Sequence, residues 1–153
     1  MHPNAALGER FYTAFQRRDA AGMIACYHPQ IEFSDPVFPD LRGDQARAMW
    51  KMLAGRAQDL ELTFSDVTAD DRRGSARWIA KYTFSKTGRK VINRISAEFE
   101  FTDGLISRHR DRFDLWKWAG MALGAKGMLL GWTPLVQNAI RAEAARGLAR
   151  FQG

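Results

Sequence analysis

The sequence predicts one α+β domain: helices at its N-terminal end, an antiparallel sheet, and a helical extension after it. Three observations carry this. Apolar residues recur at helical spacing through the first 56 positions, interrupted by one short alternating stretch. From about residue 60 the period switches to two and stays there to residue 113, with turn signals between strands. Beyond residue 115 the helical period returns. Helices followed by a run of antiparallel strands define the α+β class.

Taken in order, residues 3–18 carry Leu7, Phe11, Ala14 and Phe15 at helical spacing. Asp19 is placed to cap a second helix over 20–26, which His28-Pro29 ends, because proline disfavours helical geometry in the residue before it. Residues 31–35 alternate as a half-buried strand, with Ile31, Phe33 and Asp35 on one face. Pro36, Pro39 and Gly43 mark the next stretch as loop. Residues 44–56 read as a helix burying Ala48, Met49, Met52 and Leu53.

Four strands follow at 60–69, 75–86, 89–102 and 105–113, with Thr87-Gly88 and Asp103-Gly104 as hairpin turns. Their inward faces read Trp78, Ala80, Tyr82, Phe84; then Asn93, Ile95, Ala97, Phe99, Phe101; then Leu105, Ser107, His109, Asp111, Phe113. In the tail, 115–123 is helical and 124–131 a glycine-punctuated apolar turn. Thr133-Pro134 is a cap with a first-turn proline. The last helix carries an apolar stripe of Leu135, Val136, Ala139, Ile140, Ala144, Leu148 and Phe151, expected to dock on the body or on a second subunit.

A chain of 153 residues with 46% hydrophobic content supports one core. No repeat or linker divides it, so the helical tail from 117 is an extension of the domain formed by 1–116. Cys26 is the single cysteine, which excludes an internal disulfide or a CxxC site and fits a reducing, cytoplasmic setting. The N-terminus lacks a signal-like apolar segment, and the longest apolar stretch, 120–133, is too short and too broken to span a bilayer. No membrane insertion is expected. Residues 1–76 hold 9 basic and 11 acidic side chains, and residues 77–153 hold 14 and 6. The basic residues alternate along strands as a solvated sheet face does, and no nucleic-acid motif accompanies them.

The informative residues are polar ones on faces that should be apolar, since burying them costs free energy unless they are paired or used. Asp35 ends an apolar strand face. It is a general-base candidate with a raised pKa, or else the cap of the adjacent turn. His109 and Asp111 stand two apart and project the same way. They are a proton-transfer pair, or a satisfied buried pair supporting the sheet. Tyr82 and Asn93 are further interior hydrogen-bonding groups. His2, His28 and His109 form no standard metal-ligand spacing, and neither a phosphate-binding glycine loop nor a GxSxG elbow is present.

Two segments, FYTAFQRRDAAGMIACYHPQIEFSDPVFPDLRGDQARAMW and FEFTDGLISRHRDRFDLW, resemble the SnoaL-like branch of the nuclear transport factor two-like superfamily over about residues 5–116. The resemblance implies a cystatin-like α+β barrel, a deep apolar pocket and homodimers. Three enzyme types within it are comparable. Ketosteroid isomerases resemble the chain through Asp-Pro-Val, where Asp35 matches their base. Phe11 stands at the position of their oxyanion-hole tyrosine and Ala97 at that of their protonated aspartate, so their oxyanion machinery is missing; Tyr12, one residue on, should face elsewhere. Limonene-type epoxide hydrolases match at Asp111, but Trp78 and Ala80 occupy the positions of their Arg-x-Asp pair. SnoaL-like polyketide cyclases match best, through His109 and Asp111, the aspartate being their general base in a ring closure that uses no metal or organic cofactor.

The function expected is acid/base chemistry of the cyclase, isomerase or hydratase type on a small, mostly apolar molecule. Asp111 or Asp35 would be the base and His109 its acid partner. The ligand-facing residues would be Phe11, Trp78, Tyr82, Asn93, Ala97, Phe99 and Phe113. The alternative is a non-catalytic module that binds an apolar ligand or dimerises through its sheet.

Overall fold

In the computed structural model, which describes residues 1–56 and 58–153, helix α1 (Pro3–Gln16) opens the chain. Pro3 sits in its first turn, where a missing N–H costs nothing, and His2 Nδ1 accepts the Asn4 N–H at 3.0 Å. Asp19 caps α2 (Ala20–Ile24) by accepting from Gly22, as its position predicts. The helix stops two residues short of the expected end. Strand β1 (Tyr27–Ser34) then begins four residues early, so Tyr27 belongs to the sheet. A two-residue strand, β2 (Leu41–Arg42), forms inside the stretch read as loop.

α3 (Asp44–Arg56) has its expected bounds, but its buried stripe is rotated: Trp50 is buried with Met49 and Met52, while Ala48 and Leu53 are half-buried. The meander follows as β3 (Glu61–Ala69), β4 (Arg73–Phe84), β5 (Arg89–Thr102) and β6 (Leu105–Arg112). Asp103 and Gly104 both adopt positive φ, 55° and 73°, the pairing a type I′ hairpin needs.

The six strands form one curved, open sheet in the order β2-β1-β6-β5-β4-β3. All neighbours are antiparallel except β1 and β6, which run parallel. The β1–β6 register shifts between Tyr27 and Glu32, where Pro29 has no N–H to give the ladder. A second shift lies between Glu100 and Phe101, leaving Ser107 as an extra residue on β6. Its Oγ donates to the Glu100 carbonyl at 3.2 Å. The expected alternation through Leu105 and Ser107 therefore fails: Ile106 takes the buried place, and the face resumes at His109 and Asp111.

Two apolar clusters result. The larger lies between the concave sheet face, α1 and α3, and holds Phe11, Tyr12, Phe15, Trp50, Trp78 and Phe99. The smaller lies where α4 (Leu115–Leu123) covers the end of β5, joining Val91 to Leu115, Trp118, Ala119 and Ala122. The segment read as a glycine turn contains a short helix, α5 (Ala125–Leu130), pressed on α4. Gly127 permits this, since a Cβ there would overlap the Ala119 carbonyl.

Thr133 caps α6 (Pro134–Gln152), which docks on α3 of the same chain. Arg141 Nε donates to the Pro36 carbonyl at 2.9 Å, and Lys86 pairs with Glu143 at 2.6 Å. Its expected apolar stripe is only partly used. Val136 and Leu148 are buried and Ile140 and Ala144 half-buried, whereas Leu135, Ala139 and Phe151 face outward. No helix among the described residues is long and apolar enough to cross a membrane.

Candidate functional site

A single file of hydrogen bonds runs through the middle of the larger cluster. Trp50 Nε1 donates to the Tyr27 oxygen at 2.7 Å, Tyr27 bonds His109 Nδ1 at 2.7 Å, and His109 Nε2 bonds Asp111 Oδ1 at 2.9 Å. Trp78 Nε1 donates to the same Asp111 oxygen at 3.3 Å. An indole can only donate, so the Tyr27 proton is turned toward His109. With imidazole neutral, Nδ1 then accepts and Nε2–H points at Asp111; this donor order fixes the tautomer. Trp78 thus supplies an N–H to Asp111 from the position where the epoxide-hydrolase resemblance has an arginine.

His109 is 0% exposed. Rings enclose it: Phe99 at 4.8 Å between centroids, Phe33 at 5.1 Å, Phe11 at 5.4 Å, and the Trp50 indole stacked at 6.1 Å. Both its nitrogens are occupied inside this cage. Its partners there are Tyr27 and Asp111. Asp111 is 3% exposed, and Oδ1 takes both N–H donors, leaving Oδ2 without a donor among the described residues. Ala97 lies opposite Asp111 in the β5–β6 ladder.

Asp35 sits one residue beyond β1. Its Oδ1 accepts the Val37 and Phe38 N–H groups at 2.7 and 2.6 Å, so it does cap the proline-rich turn. The two sequence readings of Asp35 are compatible. Burial pushes its carboxyl up to about 7, the Asp111 charge adds to the rise, and the two backbone donors oppose it. The two aspartates are therefore within electrostatic reach of one another.

Tyr82 and Phe113 are half-buried nearby. The Tyr82 oxygen accepts from Trp118 Nε1 at 2.8 Å. Burial raises its pKa, the Trp118 bond opposes this, and the Asp35 charge adds to the rise. Asn93 is 7% exposed on the inward face of β5, opposite Ala80, with no side-chain hydrogen bond to a described residue.

One group escaped the sequence reading. Tyr12, expected to face away, is wholly buried, stacked on Phe64 and next to Trp78 and Phe99. Its hydroxyl is fully enclosed and has no partner among the described residues. Burial first, then the Asp111 and Tyr27 oxygens, hold its pKa well above the usual tyrosine value, so it remains a proton donor. The signal was present: Phe11, Tyr12 and Phe15 together make a stripe wide enough to bury all three rings.

The ten sequence-derived residues divide. Phe11, Trp78, Ala97, Phe99, His109 and Asp111 form a tightly packed floor. Asp35, Tyr82, Asn93 and Phe113 lie toward the end covered by α4. A separate cavity of about 300 Å³ lies between the 37–41 loop and α6, lined by Val37, Phe38, Leu41, Arg141 and Leu148 among others. Among the described residues no group of three or more His, Cys, Asp or Glu side chains is arranged to hold a metal.

The curved sheet packed against α1 and α3 defines a small α+β domain. The SnoaL-like domain family model matches residues 8–109, and the chain belongs to that family. A candidate SnoaL-like polyketide cyclase from Jannaschia sp. CCS1 superposes with a TM-score of 0.69 at 16% identity, over 80% of this chain and 92% of that one. A candidate polyketide cyclase from Xanthomonas campestris pv. campestris gives 0.65 at 21% identity, over 78% and 96%. An LEH-like epoxide hydrolase from M. tuberculosis gives 0.65 at 20% identity, over 84% and 96%. At these identities the likeness is one of fold. No curated protein sequence is significantly similar to the chain.

Proposed function

We propose that the chain is an acid/base enzyme of the cyclase, isomerase or hydratase type, acting without a cofactor on a small, mostly apolar carbonyl compound. The observation that carries this reading is the contrast between its two interior carboxyls. Asp111 is fixed by His109 and Trp78 through Oδ1 with Oδ2 left over, while Asp35 nearby holds its proton to about pH 7. Neighbouring carboxyls that differ in this way are suited to opposite tasks.

Asp111 Oδ2 takes a proton from the carbon next to the substrate carbonyl. The electrons of the broken C–H bond become the enolate, whose oxygen is met by the Asp35 proton or by the Tyr12 hydroxyl. The carbon then attacks a second carbonyl of the same molecule, or is reprotonated at another position. His109 positions Asp111 and does not touch the substrate. The similar fold of candidate polyketide cyclases supports the substrate class.

The test is exchange of α-hydrogen into D₂O for a panel of apolar ketones and diketones, followed by proton NMR. The wild type should accelerate exchange, and Asp111→Asn should remove the acceleration while leaving the circular dichroism unchanged. Exchange equal in both proteins would sink the proposal.

The cavity of about 300 Å³ beside α6 favours a second reading, a non-catalytic binder of apolar ligands, since that volume is at the lower end of the ligand-pocket range. Binding of an apolar dye that survives Asp111→Asn but not Leu148→Trp would support it.

A further inference from the structure

We infer that the tip formed by α5 and the start of α6 docks on the surface of an anionic lipid bilayer. Trp116, Met128, Leu129, Leu130, Trp132 and Leu135 are all exposed, Leu129 by 70% and Leu135 by 82%. They are contiguous, because Trp116 Nε1 reaches the Met128 carbonyl at 2.9 Å and Trp132 Nε1 the Leu129 carbonyl at 3.0 Å. A patch of this kind on an otherwise ordinary surface marks a place of interaction.

The backbone of the tip is prepared for a medium without water. A helix normally leaves its last carbonyls to solvent. Here the five from Gly127 to Gly131 all have internal donors: Gly131 N, the Trp116 indole, the Trp132 indole, the Thr133 backbone and hydroxyl, and Gln137 Nε2 in turn. Satisfied backbone is what burial in an apolar phase requires. Tryptophan is also the residue enriched at membrane interfaces.

Charge selects the occupant. Residues 115–142 contain Lys117, Lys126 and Arg141 and no acidic residue. Arg89 adds a cation at the α4–α5 junction, where its Nε donates to the Met121 carbonyl at 2.8 Å. Glu143 nearby is already paired with Lys86 and Arg146. A second copy meeting this face across a two-fold axis would bring like charges together, whereas anionic headgroups complement them. The tip lies on the surface only; it is too short to cross.

The experiment is flotation of the full chain with phosphatidylcholine vesicles, with and without phosphatidylglycerol, at low and high salt. The wild type should float with the anionic vesicles and be released by salt. Lys117→Gln and Lys126→Gln should each weaken partitioning by roughly fivefold. Leu129→Ser with Trp132→Ser should weaken it by more than about tenfold, with an unchanged thermal melt as the folding control. Absence of flotation, or flotation that survives the Leu129/Trp132 pair, would overturn the inference. So would a dimer in sedimentation that this pair dissolves while no vesicle binding is seen, since the tip would then belong to a second copy.

Discussion

The floor of the interior and the end covered by α4 treat polar groups in opposite ways. At the floor, Trp50, Tyr27, His109 and Asp111 form a file in which each group has a partner and aromatic rings exclude water. Toward α4, Asp35 pays for burial with a carboxyl that ionises only near pH 7, and Asn93 has an amide with no partner among the described residues. Satisfied buried networks hold a geometry, and unsatisfied or strained ones are where a ligand changes the free energy most. Asp111 belongs to both ends, with one oxygen held by the floor and the other free.

Breaking that junction should give the largest effect. Asp111→Asn keeps an oxygen to accept from His109 and Trp78, so the melting temperature should move little, while turnover falls by about 10²–10⁴-fold, the usual contribution of a general base. Equal losses of turnover and stability would make Asp111 a sheet residue only.

Next in size is Tyr27→Phe, which leaves His109 Nδ1 and the Trp50 N–H unpartnered inside the cage. The cost should be about 1–3 kcal/mol, or roughly 2–4 °C of melting temperature per kcal/mol. An unchanged melt would show that the file does not stabilise the floor.

Asp35→Asn sharpens the contrast through pH. The folded state holds the Asp35 proton to about 7, above the unfolded value near 4. Its ionisation therefore costs stability progressively as pH rises through that window, and the full penalty is present above pH 7. The variant should gain on wild type by up to about 1.4 kcal/mol for each pH unit climbed between 4 and 7. If Asp35 is the acid, wild-type activity should also fall as pH rises through about 7, and that limb should vanish in the variant. The smallest effect expected is a gain of about 1 kcal/mol in Tyr12→Phe, from removing an orphaned hydroxyl. A loss would mean that the hydroxyl has a partner in solution.

Much of this was legible from residues alone. Period-two spacing put Trp78, Ala97, Phe99, His109 and Asp111 inside the sheet, and the Asp-Pro and Asp-Gly signals placed the turns. What escaped depended on long-range pairing. The Tyr27–His109 bond joins residues 82 apart through a parallel pairing that no local pattern announces. The extra residue at Ser107 has no glycine or proline to mark it, so Ile106 took the place given to its neighbours. Tyr12 escapes a one-sided reading of α1 because the curved sheet wraps far enough to bury a wider stripe. Of the seven apolar residues in the stripe of α6, three face outward, because helical spacing does not show how much of the stripe α3 covers.

The most direct test of the two-carboxyl account is a carboxyl ¹³C NMR titration of Asp35 in the wild type and in Asp111→Asn. The account predicts a midpoint near 7 that falls when the Asp111 charge is removed. A midpoint at the ordinary aspartate value, unmoved by the substitution, would contradict it.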